Sequence, residues 1–225
     1  MTIDPFQIDP PAIPFVPQHE HEHPKIWMAQ QTGRPLWLLD LRPEDICLTS
    51  MNVAMDHIAR YNGHTRMSLN LTSHSLFVER LVAMRWPEHV EARLYAMLHD
   101  AHEVFWGDLT RPVQLAFEQL LPGFRQMLKE VHEKTDRVIF TALGLPGDFP
   151  SSVARTRVAE ADTAALWFER SQYIGTQGPE WVDDHVAEWW KEKQLQHGLW
   201  LAYKREMSGW LDAVRELIVA WKHRE

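Results

Sequence analysis

From position 49 onward, apolar residues recur at spacings of three and four and are interrupted by Pro and Gly, which points this chain to a helical fold. After Pro87 the series Val90, Leu94, Met97, Leu98, Ala101 and Phe105 predicts one helix that closes at Gly107. Thr49 and Ser50 are N-cap candidates for an earlier helix through Val53, Met55, Ile58 and Ala59, ending near Asn62-Gly63. Another helix is expected from Thr72-Ser73 to Arg85. Pro112 restarts the pattern, Pro122-Gly123 breaks it, and Phe124 to Leu143 resumes it. A helix entered at Pro150-Ser151-Ser152 is expected to run to about Tyr173. The tail from about His185 reads as mostly helical, with a break near His197-Gly198. Its last helix presents Trp200, Tyr203, Met207, Trp210, Leu211, Val214, Ile218 and Trp221 on one packing face, toward the core or a second subunit. Strand signals are nearly absent, since Leu36 to Leu41 is short and no hairpin turn joins alternating apolar runs. The fold class is therefore all-α.

Eight of the 14 prolines fall in residues 1–45, an expected Pro-rich extended N-terminal arm ahead of a helical core with a C-terminal helical extension over residues 46–225. His19-Glu20-His21-Glu22-His23 in that arm reads as a solvated linker rather than a fixed metal site. With 225 residues the chain is long enough to bury a real core. Its net charge of −8 argues against gripping a nucleic-acid polymer but is compatible with a single nucleotide. Cys47 is alone, so no intrachain disulfide or cysteine zinc module is available. No apolar run approaches a membrane span, and two acids with three prolines in the first eleven residues do not resemble a signal peptide. A cytoplasmic protein without membrane contact is expected.

The chemistry concentrates in Leu98-His99-Asp100-Ala101-His102-Glu103-Val104-Phe105-Trp106-Gly107-Asp108. An imidazole and a carboxylate stand side by side where flanking residues predict burial, and a buried carboxylate is costly unless it is paired or binds a metal. Glu103 follows His99 by four residues and Asp100 by three, on the same side of a helix. Two ligands do not make a site, so His74 and Asp162, each on another expected helix, are the candidates to complete it. Such a mixed nitrogen and oxygen set suits a divalent transition metal, with Mn, Fe, Co, Ni and Zn all eligible.

In order, Arg60, His74-Ser75, His99-Asp100-Ala101-His102-Glu103, Gly107-Asp108-Leu109 and Ala161-Asp162 resemble the motifs of HD-domain metal-dependent phosphohydrolases. The closer similarity is to bacterial 5′-deoxynucleotidases and phage-type HD hydrolases, over roughly residues 45–175. The resemblance implies a single HD-domain helical bundle with His74, His99, Asp100 and Asp162 as metal ligands. It implies that Glu103 orients or deprotonates the attacking water, that Asp108 contacts the sugar or assists acid–base chemistry, and that Arg60 holds a phosphate. Asp162 would touch both ion and substrate. Tyr61 stands where the deoxynucleotidases have Trp, and Ser73 where an acid often precedes the His. Arg66 and His64 are further candidates at the mouth of the site. His102 reads as a supporting or surface residue, Arg155 and Arg157 as helix-surface charges, and His57 and His132 as packing or surface residues.

The expected reaction is hydrolysis of a (deoxy)nucleoside 5′-monophosphate to nucleoside and phosphate. The alternatives are a (d)NTP triphosphohydrolase, for example dATP to deoxyadenosine and triphosphate, and a non-catalytic nucleotide-binding HD module. The expected assembly is a homo-oligomer, dimer or larger, with the Trp-rich C-terminal face as one candidate interface.

Overall fold

The computed structural model describes residues 25–174 and 209–223. In chain order the elements are β1 (Trp27–Ala29), β2 (Pro35–Trp37), α1 (Leu48–His57), α2 (Leu71–Arg85), α3 (Val90–Leu98), α4 (Glu103–Trp106), α5 (Arg111–Leu120), α6 (Phe124–Ala142), α7 (Ser152–Glu169) and α8 (Trp210–Lys222). Helices dominate, as the spacing of apolar residues predicts. The part of the C-terminal tail that includes Trp200, Tyr203 and Met207 lies outside the described residues. No helix of the described residues is long and apolar enough to cross a membrane.

The chain divides into two compact units. One comprises Met1–Ile58 and Ala101–Phe149. In it β1 and β2 form an antiparallel hairpin with Trp27 opposite Trp37, a feature the sequence pattern did not announce because each strand is only three residues long. Gly33 turns the chain there with a φ of +78°, a value that favours glycine. Helix α1 begins at Leu48, so Thr49 and Ser50 sit inside its first turn rather than capping it, and it ends at His57, short of Asn62-Gly63. Helices α5 and α6 are joined through Gly123, whose φ is +92°. The Glu118 carboxylate accepts from the amides of Gly123 (3.0 Å) and Arg125 (2.8 Å), which satisfies donors at the start of α6.

The second unit comprises Ala59–Asp100 and Pro150–Glu225. Its core gathers Phe77, Val78, Leu81 and Val82 of α2, Ala92 and Ala96 of α3, and Ala154, Val158, Ala161, Ala164, Ala165 and Phe168 of α7. Full burial of each large side chain stabilises by about 1.5–3 kcal/mol. The alanines act differently: Ala161, Ala164 and Ala165 are fully buried and bring the α7 backbone close to its neighbours. Helix α8 packs on α3 through Trp210, Val214, Leu217 and Ile218. The Trp210 indole donates to the carbonyl of Met97 at 2.8 Å, so this part of the aromatic stripe belongs to the core of its own unit.

Candidate metal centre

Four side chains from three places on the chain meet in the second unit. His74 lies in the first turn and a half of α2, where the Asn70 side chain caps the helix by accepting from the amide of Ser73 at 2.9 Å. The whole entry of this helix is buried, Leu71 through Val78 without a break, and His74 itself is 0% exposed. His99 and Asp100 follow directly on the end of α3. Asp162 projects from the middle of α7, between Ala161 and the pair Ala164 and Ala165.

The continuous helix expected from Val90 to Gly107 is not formed; α3 stops at Leu98 and α4 starts at Glu103. The Nδ1 of His99 lies 2.8 Å from the carbonyl of Ala96, the oxygen that would accept from the amide of Asp100 in a continuing helix. A carbonyl only accepts, so this Nδ1 carries the proton. His99 itself keeps right-handed helical backbone, with φ −62° and ψ −31°.

Three of four cross-distances in the cluster are close to those around a shared ion. His74 Nε2 is 3.0 Å from Asp162 Oδ1 and 3.5 Å from Asp100 Oδ2; His99 Nε2 is 3.3 Å from Asp100 Oδ2 and 3.9 Å from Asp162 Oδ1. Donors bound to one ion at about 2.1 Å stand about 3.0 Å apart at right angles and about 3.4 Å apart in a tetrahedron. Both Nε2 atoms are buried, and their near neighbours in the cluster are these carboxylates. Each ring is fixed through its other nitrogen. His74 Nδ1 lies 2.8 Å from Glu169 Oε1, and a carboxylate that accepts there leaves Nε2 as the nitrogen that faces the cluster. The donors therefore fit a divalent cation: His74, His99 and Asp100 present ligand atoms all within 4.8 Å of one another. Asp162, with 41% of its side chain exposed, forms the open side.

Charge makes the same point. Burial opposes ionisation of Asp162, but His74 and His99 outweigh it and hold this carboxyl well below its usual range. Asp100 and Glu169 are lowered in the same way, burial being overcome by His99 and His74 for the first and by His74 and Arg60 for the second. Burial and the Arg60 charge depress His74, but Glu169 and Asp162 prevail and push it up to about 10; His99 is raised by Asp100 and Asp162 against burial. Three carboxylates thus draw positive charge into a space that one guanidinium only partly neutralises.

That guanidinium belongs to Arg60, whose Nη1 is 3.6 Å from Asp100 Oδ2 and whose Nη2 is 3.5 Å from Glu169 Oε2. A bridge between Ala59 and Asn70, with the Arg60 amide donating to Leu69 at 2.9 Å, ties this turn to the cap of α2. Tyr61 and Asn62 both adopt left-handed backbone, with φ of 54° and 52°. For non-glycine residues this costs on the order of 1–2 kcal/mol each. The Tyr61 hydroxyl donates to Glu169 Oε2 at 3.2 Å, and its ring lies under Arg60 at 5.6 Å. Burial and the charge of Glu169 push the Tyr61 phenol upward, so it stays a neutral donor.

The structure brings His74, His99, Asp100, Asp162, Arg60 and Tyr61 together. Arg66 and His64 are exposed, and Arg66 is tied by its amide to the carbonyl of Tyr173. Arg155 lies over the ring of Tyr95 and Arg157 over that of Trp86. Glu103 and Asp108 belong to the other unit, Glu103 as the first residue of α4 and Asp108 just past Gly107, both half-buried. There His102 Nδ1 lies 2.9 Å from Asp136 and its ring stacks on that of His132 at 3.9 Å. Glu169 was not singled out from sequence. Its one signal is a spacing of seven residues from Asp162, two helical turns along the same face.

An all-α chain that converges two imidazoles and two carboxylates on one point is consistent with an HD-like domain and could hold a metal ion there. No family model matches the chain. It is 32% identical over 154 residues to Uncharacterized protein RCAP_rcc00048 of Rhodobacter capsulatus, a match spanning 67% of this chain and 74% of that protein. It is 28% identical over 139 residues to Uncharacterized protein YfdR of Escherichia coli strain K12, spanning 62% of this chain and 67% of that one. The chain belongs to the family of the Rhodobacter capsulatus protein. Neither name carries an activity, so a functional reading rests on the site.

Proposed function

We propose that this protein hydrolyses nucleotide phosphoesters with a divalent transition metal, and that its substrate is a (deoxy)nucleoside 5′-monophosphate cleaved to nucleoside and phosphate. The observation that carries the reading is the convergence of the buried Nε2 atoms of His74 and His99 on the carboxylates of Asp100 and Asp162, with Arg60 at hand. A structural His–Asp pair needs one imidazole and one carboxylate, whereas this cluster brings two of each to one point, where a bound cation can take the place of the imidazole protons. When bound, a divalent cation of the Mn, Fe, Co, Ni or Zn kind supplies Lewis acidity toward a phosphoryl oxygen and a nucleophile at neutral pH.

The protein's own groups have separate tasks. Asp162, on the exposed side, is placed to meet substrate as well as the ion. Arg60 offers a planar, permanently charged fork to a phosphate. Glu103, three residues after Asp100 in sequence, is the proposed proton acceptor for the attacking water, and Asp108 the proposed contact to the sugar. Tyr61 and Arg66 are proposed on the substrate side by their neighbourhood in sequence to Arg60. The protein is further proposed to work in the cytoplasm as a homo-oligomer.

The test is product chromatography after incubation of the metal-reconstituted protein with a panel of ribo- and deoxynucleoside mono- and triphosphates. Phosphate plus nucleoside from monophosphates is the expected result. Triphosphate plus nucleoside would replace the substrate with a nucleoside triphosphate while keeping the site. No turnover with any of the five metals would overturn the enzyme and leave a nucleotide-binding module.

A further inference from the structure

We propose that Glu169 is the positioning residue of the metal centre, a single buried carboxylate that fixes the ring of His74 with one oxygen and holds Arg60 and Tyr61 with the other. The inference rests on the metal reading of His74. Glu169 is 0% exposed and stands at the end of α7, two turns beyond Asp162. Its Oε1 faces His74 Nδ1 at 2.8 Å; its Oε2 receives the Tyr61 hydroxyl at 3.2 Å and lies 3.5 Å from Arg60 Nη2.

The arrangement has a chemical consequence for His74. A neutral imidazole carries its proton on one nitrogen only, and a ligand nitrogen must be the bare one. Glu169 decides the matter by accepting from Nδ1, which leaves Nε2 bare and makes the ring a stronger donor. Partners of this kind commonly govern metal affinity by about 10–100-fold. His99 reaches the same tautomer through a backbone carbonyl, which substitution cannot remove, so Glu169 is the point at which a side chain sets the geometry of the centre.

The second oxygen links ligand and arm. Tyr61 sits in left-handed backbone, and its hydroxyl reaches across 108 positions of sequence to Glu169, so the strained turn that carries Arg60 is held to the carboxylate that orients His74. One helix, α7, therefore supplies both a ligand, Asp162, and the anchor for a second ligand on α2. A shift of α7 would move both together.

The experiment measures zinc affinity of the full chain by chelator competition, with histidine ring nitrogen NMR of the zinc-loaded protein as a second readout. Glu169→Ala is expected to weaken zinc binding about 10–100-fold and to remove the protected Nδ1 proton of His74. Glu169→Gln keeps an acceptor for that proton and is expected to restore affinity to within about threefold of wild type, with the tautomer signal intact. Tyr61→Phe, which leaves the His74 contact alone, is expected to leave zinc affinity and the Nδ1 signal unchanged. Wild-type affinity in Glu169→Ala, with affinity lost in His74→Ala, would overturn the positioning role alone. Wild-type affinity in His74→Ala would overturn the metal reading itself. Should Glu169→Ala fail to fold, the near-isosteric Glu169→Gln decides by its tautomer signal: retention of the Nδ1 proton supports the role, and a ring protonated on Nε2 overturns it.

Discussion

Helices α2 and α5 place their polar residues in opposite ways. In α2, 11 of 15 residues are buried, and Thr72, Ser73, His74, Ser75 and Glu79 are among them. In α5 none of the ten is buried, and Leu115, Phe117 and Leu120 remain exposed to 47%, 39% and 74%. Helix α5 gathers apolar residues on one stripe, the usual amphipathic pattern, but leaves that stripe exposed. Helix α2 does not sort, and a polar helix face sunk into a core needs another reason, since each uncompensated group costs about 1–3 kcal/mol. For His74 the reason is the cluster it faces. The informative helix is the one that breaks the amphipathic rule.

The comparison is broken most directly at Asp100. If the buried polar face exists to serve the centre, Asp100→Ala should abolish metal binding and reduce turnover by about three orders of magnitude or more. The helical circular-dichroism signal should stay near wild type, because half-buried Asp100 lies outside α3 and α4 and leaves their hydrogen bonds intact. Retained metal binding would mean that α2 buries its polar residues for stability alone.

Arg60 sharpens the same point by separating its two roles. It lies 3.6 Å from Asp100 and 3.5 Å from Glu169, so it competes with a bound cation for Asp100. Arg60→Ala should raise KM by about 10–100-fold, the loss of one charged phosphate contact. Metal affinity should hold or increase, since a repelling charge is gone. Unchanged KM with weakened metal binding would make Arg60 a structural partner of the centre only.

A smaller effect is expected from pH. His74 is held at about 10 without a metal, above the 6.5 of a free imidazole, so its stabilising pairing is complete below 6.5 and is lost as pH rises through about 10. The melting temperature of the metal-free protein should therefore fall between pH 7 and pH 10. Zinc replaces the proton as the positive charge, and the loaded protein should show a flatter profile with proton release on binding. Parallel melting curves with and without zinc would place the stabilising charge elsewhere.

Much of this contrast was legible in the residues. His99, Asp100 and Asp162 could be named because few side chains bind metals and these stood among small or apolar neighbours, whereas His74, between Ser73 and Ser75, was marked by its place in the order of motifs. Helix limits followed at several Pro and Gly marks, as at Arg85 and Leu120, but not at Asn62-Gly63, which lies beyond the end of α1. What escaped depended on contacts distant in sequence. The break falls where the His99 ring meets the carbonyl of Ala96, and no residue of the Val90–Phe105 pattern announces it. Glu169 looked like any helical acid, because its partners His74, Tyr61 and Arg60 are about a hundred positions away. The β1–β2 hairpin was too short for alternation to show.

The smallest effect belongs to α5. Leu120 is 74% exposed on a helix with no buried residue, so replacing it by Ser removes little area from contact and leaves no cavity. Leu120→Ser should change stability by no more than about 0.5 kcal/mol, a shift of under about 2 °C in melting temperature. Metal affinity should be untouched, because Leu120 belongs to the unit that does not carry His74, His99, Asp100 or Asp162. A large loss of stability in the variant, together with a melting temperature that rises with protein concentration in the wild type but not in the variant, would show that the exposed stripe is covered by a second copy in solution. In that event α5 would join α2 as a helix whose pattern is explained only by what it meets, and the contrast would become one between a face closed by its own unit and a face closed by association.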